Sequence, residues 1–182
     1  MLGEELIKIM KSYKYLMRDL ELVRQLNLPN WYIAAGYVRN HIWDQLHGYT
    51  NRTPLNDIDV IYYDNENLSE IYEKNLETWL NQKTNLSIWS VKNQARMHVK
   101  NNDEPYNSIT DAISRWPETV TAVGITLEKN NSITLIAPYG VEDIFEMRVR
   151  RSPLFMDKEY YKRRVMDKNW KKLWPKIMIE WH

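Results

Sequence analysis

Apolar positions early in the chain recur at helical spacing. Leu6, Ile9, Met10, Tyr13, Leu16, Met17, Leu20 and Val23 fall on one stripe, predicting a single amphipathic helix that ends near Asn27-Leu28-Pro29. The pattern then switches to a continuous apolar run, Trp31 to Ala35, which predicts a strand. After Gly36, Val38, Ile42 and Leu46 mark a second helical stripe, stopped by His47-Gly48. Asp57 to Tyr63 predicts a strand, Asn67 to Leu80 a helix burying Leu68, Ile71, Tyr72, Leu76 and Trp79, and Ser87 to Val91 a third strand. Ser108 or Thr110 caps a short helix that runs to Trp116, before Pro117. Thr119 to Leu127 and Ser132 to Ala137 predict two strands joined by the hairpin-like turn Glu128 to Asn131. Val141 to Met147 reads as a short helix. From Asp157 onward, Tyr160, Tyr161, Val165, Trp170, Leu173 and Trp174 predict a C-terminal helix packed on the body.

A chain of 182 residues has room for one ordinary domain with a real core. Eight tryptophans and twelve tyrosines stand against two phenylalanines, so most large rings carry a polar handle suited to cores, grooves and base-stacking surfaces. The absence of cysteine excludes a disulfide framework and a thiolate zinc site. The four histidines are too dispersed to suggest a metal cluster. No long apolar run and no signal-peptide core are present, which predicts a cytoplasmic protein with no membrane partner. Charge is uneven along the chain: residues 148–182 hold eleven Lys or Arg against four Asp or Glu, while residues 1–147 hold fourteen against twenty. Such a tail either meets a polyanion or pairs with the acidic body of its own chain.

Candidate chemistry centres on Asp57-Ile58-Asp59-Val60-Ile61. Strand alternation puts Asp57 and Asp59 on the same side, where they could grip one cation. Gly36, at a strand-to-helix turn, would let backbone N–H groups approach a phosphate at a helix start carrying partial positive charge. Together these features suit a Mg²⁺–phosphate group, since Mg²⁺ prefers oxygen ligands. The alternative is that the aspartates face solvent at a strand's start. Arg39 and Asn40, in the first turn of the helix, either contact phosphate or form a salt bridge or cap. In the polar segment Lys92 to His98, Lys92 and Arg96 could neutralise phosphate charge, or the segment is a structural loop. His98 is either a general base or a hydrogen-bonded structural residue.

The motif Ala35-Gly36-Tyr37-Val38-Arg39-Asn40-His41-Ile42-Trp43-Asp44-Gln45-Leu46-His47-Gly48, followed by Asn56-Asp57-Ile58-Asp59-Val60, resembles a bacterial family of the polymerase-beta-like nucleotidyltransferase superfamily. The resemblance continues through Val91 to His98, Asp111 to Pro117, Thr121 to Gly124 and Ala137 to Gly140, spanning about residues 31–150. It implies that Gly36 and its neighbours bind a nucleoside triphosphate. Asp57 and Asp59, with a third carboxylate on a neighbouring strand, would hold Mg²⁺ (or Mn²⁺) ions. Two residues depart from the family pattern. Tyr37 stands where a small residue is usual and is expected to crowd the triphosphate. Ser90 stands where the third carboxylate is expected, with Asp111 the nearest acidic substitute.

The expected fold is therefore α+β: a polymerase-beta-like nucleotidyltransferase core with a small mixed sheet, an N-terminal helix and a basic C-terminal helix. Residues 1–150 form the domain, and 151–182 a tail packed on it. The expected activity is Mg²⁺-dependent transfer of a nucleotidyl group from an NTP to a small-molecule, protein or RNA acceptor. Asp57 and Asp59 would be catalytic and metal-binding, and Gly36, Tyr37, Arg39, Lys92 and Arg96 nucleotide-binding. The alternatives are a catalytically degenerate nucleotide- or RNA-binding module of the same fold, and a structural protein docking a partner through its basic tail.

Overall fold

A computed structural model describes residues 1–181. The N-terminal stripe forms two helices, α1 (Leu2–Met10) and α2 (Leu16–Arg24), where a single one was expected. Apolar spacing alone does not show this break, because the interruption is local. The Ser12 hydroxyl bonds back to the Ile9 carbonyl at 2.7 Å, and Tyr13 turns inward against the Tyr37 ring. Leu6 and Met10 from α1, and Leu16, Leu20 and Val23 from α2, are buried in the same core.

The chain then alternates strand and helix: β1 (Tyr32–Ala34), α3 (Gly36–His47), β2 (Ile58–Tyr62), α4 (Glu70–Thr84) and β3 (Trp89–Asn93). The polar segment after Lys92 is not a loop. Asn93 ends β3 and caps α5 (Gln94–Asn101), its side chain accepting from the Ala95 N–H at 3.1 Å. α6 (Ile109–Ser114) follows, and of the two candidate caps it is Ser108 that accepts the Asp111 N–H. β4 (Gly124–Leu127) and β5 (Ile133–Ile136) form the hairpin. β4 starts five residues later than its apolar pattern suggests. Residues 119–123 curl into a turn, with the Thr121 and Ala122 N–H groups both on the Glu118 carbonyl. Left-handed asparagines close α4, α5 and α8 (Lys158–Lys168) in the position where glycine is usual.

The five strands form one mixed sheet in the order β3-β2-β1-β4-β5. β2 and β3 run parallel, and the other neighbours antiparallel. The central strand, β1, pairs on both edges, so Ala34 sits opposite Asp59 on one side and Gly124 on the other. This α+β architecture is the one expected from the sequence.

The tail is more elaborate than one basic helix. After α7 (Glu142–Phe145), β6 (Arg148–Val149) pairs in parallel with β7 (Met178–Ile179), bracketing α8 and α9 (Trp170–Leu173). Its anchor is aromatic. The ring of Trp43, on α3, meets Trp170 at 5.7 Å and Trp174 at 5.2 Å, both nearly edge-on. Trp43 also donates its indole N–H to the Ile144 carbonyl at 3.0 Å, and Trp174 donates to Asp44 at 2.8 Å. Among the described residues no helix is long and apolar enough to cross a membrane. Because Trp43 is fully buried, Trp43→Ala is expected to cost about 3–5 kcal/mol in denaturant unfolding.

Candidate active site

β1 ends in an unusual backbone conformation. Ala35 has φ 56° and ψ −123°, which matches the first central position of a type II′ turn, where glycine is strongly favoured. The Ala35 N–H bonds to the Val123 carbonyl at 2.8 Å, and its own carbonyl accepts from Val38 and Arg39, starting α3 abruptly. No side chain caps this helix. The N–H groups of Gly36 and Tyr37 have no acceptor among the described residues, so they form the open, positively polarised end of a twelve-residue helix. At Gly36 an added Cβ would lie in ordinary van der Waals contact, 3.4 Å from the Arg39 guanidinium and 3.5 Å from the Asn40 amide.

That helix end opens onto a cavity of about 820 Å³. Asp57 and Asp59 line it from β2 and the residues just before it, joined by Lys92 from β3 and Gln94 and Met97 from α5. Arg39 and Asn40 line the adjoining wall, and Trp116 and Thr121 come from the turn after α6. The tail supplies the remaining wall, with Tyr160, Arg164 and Lys168 on α8, and then Trp170 and Trp174.

Asp57 is exposed and Asp59 half-buried. Burial pushes the Asp59 carboxyl up to about 6, and the charge of Asp57 adds to the rise. Lys168, the Ser90 hydroxyl and Arg39 pull the other way. Neither carboxylate is ion-paired with a Lys or Arg among the described residues. Ser90 is the direct register partner of Asp59 across the parallel β2–β3 pair, the position where a third carboxylate was sought. Asp111 does not replace it. It accepts from the Asn107 N–H and the Arg115 side chain and does not line the cavity. No three His, Cys, Asp or Glu side chains gather to hold a metal among the described residues.

The side chains of two residues assigned to nucleotide binding point elsewhere. The Tyr37 ring does not crowd the phosphate end. It is fully buried on the opposite side of α3, donating its hydroxyl to Asp19 at 2.8 Å. The demand for a small residue falls on Ala35, which must adopt a positive φ, rather than on Tyr37. Arg96 faces away from the cavity, paired with Glu70 at 2.6 Å and with the buried Glu73 at 2.5 Å. Glu73 also accepts the Asn93 N–H, so this cluster locks α4 onto β3. Lys92 lines the cavity but is tied to Glu77 at 2.5 Å. Arg39 lines it too, with all three guanidinium nitrogens occupied by Thr121 and Asn40 and its plane 4.3 Å from the Trp170 ring. Burial lowers Arg39 to about 10, opposed mainly by Glu118, so it stays charged at neutral pH. His98 bonds the Ala95 carbonyl at 3.0 Å through Nδ1, a structural contact. Arg164 and Lys168 line the cavity without having been singled out by their sequence motifs. The tail's basic excess was the signal for both.

A nucleotidyltransferase family matches residues 21–179, and the chain belongs to it. Proteins of curated function give no match. Among solved structures, an NMR structure revealing a CCA-adding enzyme head domain is 34% identical. The match covers 97% of this chain and 95% of that one, with a TM-score of 0.86. A CCA-adding enzyme solved with CTP is 16% identical at a TM-score of 0.59. The Thermotoga maritima CCA-adding enzyme complexed with tRNA is 19% identical at a TM-score of 0.58. These two matches cover 96% of this chain but only 43% and 42% of theirs, and they show a shared fold.

Two consequences are measurable. Asp59 is raised from 3.8 in the unfolded chain to about 6 in the fold, so the folded state binds the extra proton and stability falls as pH rises from about 4 to 6. Asp59→Asn should therefore melt higher than the parent at pH 8, by about 1–3 kcal/mol, with the gap closing below pH 4. At Ala35, glycine should keep or raise the melting temperature, whereas Ala35→Val should cost about 2–4 kcal/mol through strain at positive φ.

Proposed function

We propose that this chain moves a nucleotidyl group from an NTP to an acceptor, with Asp57 and Asp59 holding Mg²⁺ (or Mn²⁺). The observation that carries this reading is the β1–β2 register. It sets Asp59 beside Ala34, so the uncapped start of α3 and the carboxylate pair face one cavity. A triphosphate there would meet the Gly36 and Tyr37 N–H groups and the helix's partial positive charge. Arg39 adds a fixed positive charge to the same wall. The donor set fits a hard divalent cation, because two neighbouring carboxylates without a basic partner gain most from one. Such an ion supplies charge stabilisation at the attacking and leaving oxygens of a phosphoryl centre. The 34%-identical head-domain relative supports the reaction class, and the likenesses to proteins solved with CTP and with tRNA support an NTP donor and favour RNA among the possible acceptors.

Ser90 beside Asp59 favours a second reading, in which the same pocket binds a nucleotide without turning it over. Incubation with each α-labelled NTP, Mg²⁺ or Mn²⁺ and an RNA-containing cell extract separates the two. Transfer of label that drops at least about 100-fold in Asp57→Ala supports the transferase. Nucleotide bound without transfer supports the binding module, and neither binding nor transfer overturns both.

A further inference from the structure

Glu118 is a buried acid outside the carboxylate pair. It sits in the turn between α6 and β4 and is fully buried. One of its oxygens accepts the Arg164 Nε–H at 2.7 Å, and the other has no partner among the described residues. A carboxylate buried with half its hydrogen-bonding capacity unused is an expensive way to attach a helix. A well-packed apolar pair would hold α8 equally well. What the carboxylate provides, and an apolar contact would not, is orientation of the guanidinium.

Glu118 holds Arg164 through Nε and the Tyr160 hydroxyl lies beside the same side chain, which leaves its two terminal amino groups without a carboxylate or carbonyl partner among the described residues. Its side chain is 27% exposed and lines the cavity that holds Asp57 and Asp59. Lys168, one helical turn further on, lines the same cavity. The other cavity arginine in contact with this network, Arg39, has every nitrogen engaged. Arg164, unlike Arg39, thus keeps its terminal amino groups for a ligand, the planar geometry that grips phosphate oxygens in pairs; Arg115, held by Asp111 through Nε, also lines the cavity but has no buried acid behind it. The same turn ties Glu118 to the phosphate end: Thr121 accepts from Arg39, and Val123 accepts the Ala35 N–H.

We propose that Arg164 binds a phosphate group of the substrate in this cavity and that Glu118 is its positioning residue, aiming the fork from behind. The proposal rests on the nucleotide-site reading above and adds the residues that grip the anion.

The test is titration calorimetry with inorganic tripolyphosphate, without metal, on the full chain. The parent should bind, and Arg164→Ala should weaken binding at least tenfold. Arg164→Lys, which keeps the charge but loses the fork, should weaken it severalfold at the parent's melting temperature. Glu118→Gln should weaken it about fivefold in the parent, yet change nothing in an Arg164→Ala background, because its effect passes through the arginine. No binding by the parent, an unchanged affinity in Arg164→Ala, or a Glu118→Gln effect that persists without Arg164 would each overturn the proposal. Glu118→Gln lowering only the melting temperature would also overturn it, leaving the pair a structural clamp. Label transfer read in parallel separates the two ideas: anion binding that depends on Arg164 in a protein with no transfer sinks the transferase reading alone.

Discussion

The site depends on three residues of backbone pairing. β1 is only Tyr32 to Ala34, yet it is the central strand and bonds to β2 on one edge and β4 on the other. The β2 pairing sets Asp59 beside Ala34, and the β4 pairing brings the 118–123 turn alongside. Immediately afterwards Ala35 turns the chain sharply into α3. A slip of one residue in this register would send Asp59 to the opposite face of the sheet and separate it from the helix end. The strain at Ala35 is tolerated because hydrogen bonds on both sides of the peptide hold the turn in place.

Around that frame the charges are arranged unevenly. The carboxylates at the cavity carry no basic ion-pair partner, whereas the acids farther out, Glu73, Asp143 and Glu118, are each bound by an arginine. The basic excess of the tail is therefore partly neutralised by the body, the second of the two alternatives read from composition, and partly turned into the cavity. Arg150 and Arg164 pair with the body, while Lys168 faces the carboxylates.

Local pattern made much of this architecture legible. Strand alternation located Asp57 and Asp59, and a glycine after an apolar run located the start of α3. Both signals lie within a few residues of what they report. The sequence reading went astray where a side chain's destination is set by a distant partner. Tyr37 follows Gly36 directly, but its ring is drawn to Asp19 on α2 across the helix. Arg96 has the composition of a phosphate ligand, and its partners Glu70 and Glu73 lie on α4, more than twenty residues earlier. Arg164 sits in the basic run Lys162-Arg163-Arg164, and only the fold-back anchored by Trp43 brings it to the cavity. Break points such as Lys11 to Tyr15 were hidden for the opposite reason: the apolar stripe continues through a turn that needs only one serine and one inward tyrosine.

The aromatic anchor has an optical consequence. Trp116, Trp170 and Trp174 all line the cavity, and Trp170 carries the Arg39 guanidinium against its face. A charged molecule settling among them alters the field at three indoles held rigidly in the wall. The protein therefore carries its own fluorophores at the place where a ligand would arrive, and emission from the unlabelled chain reports the filling of that space.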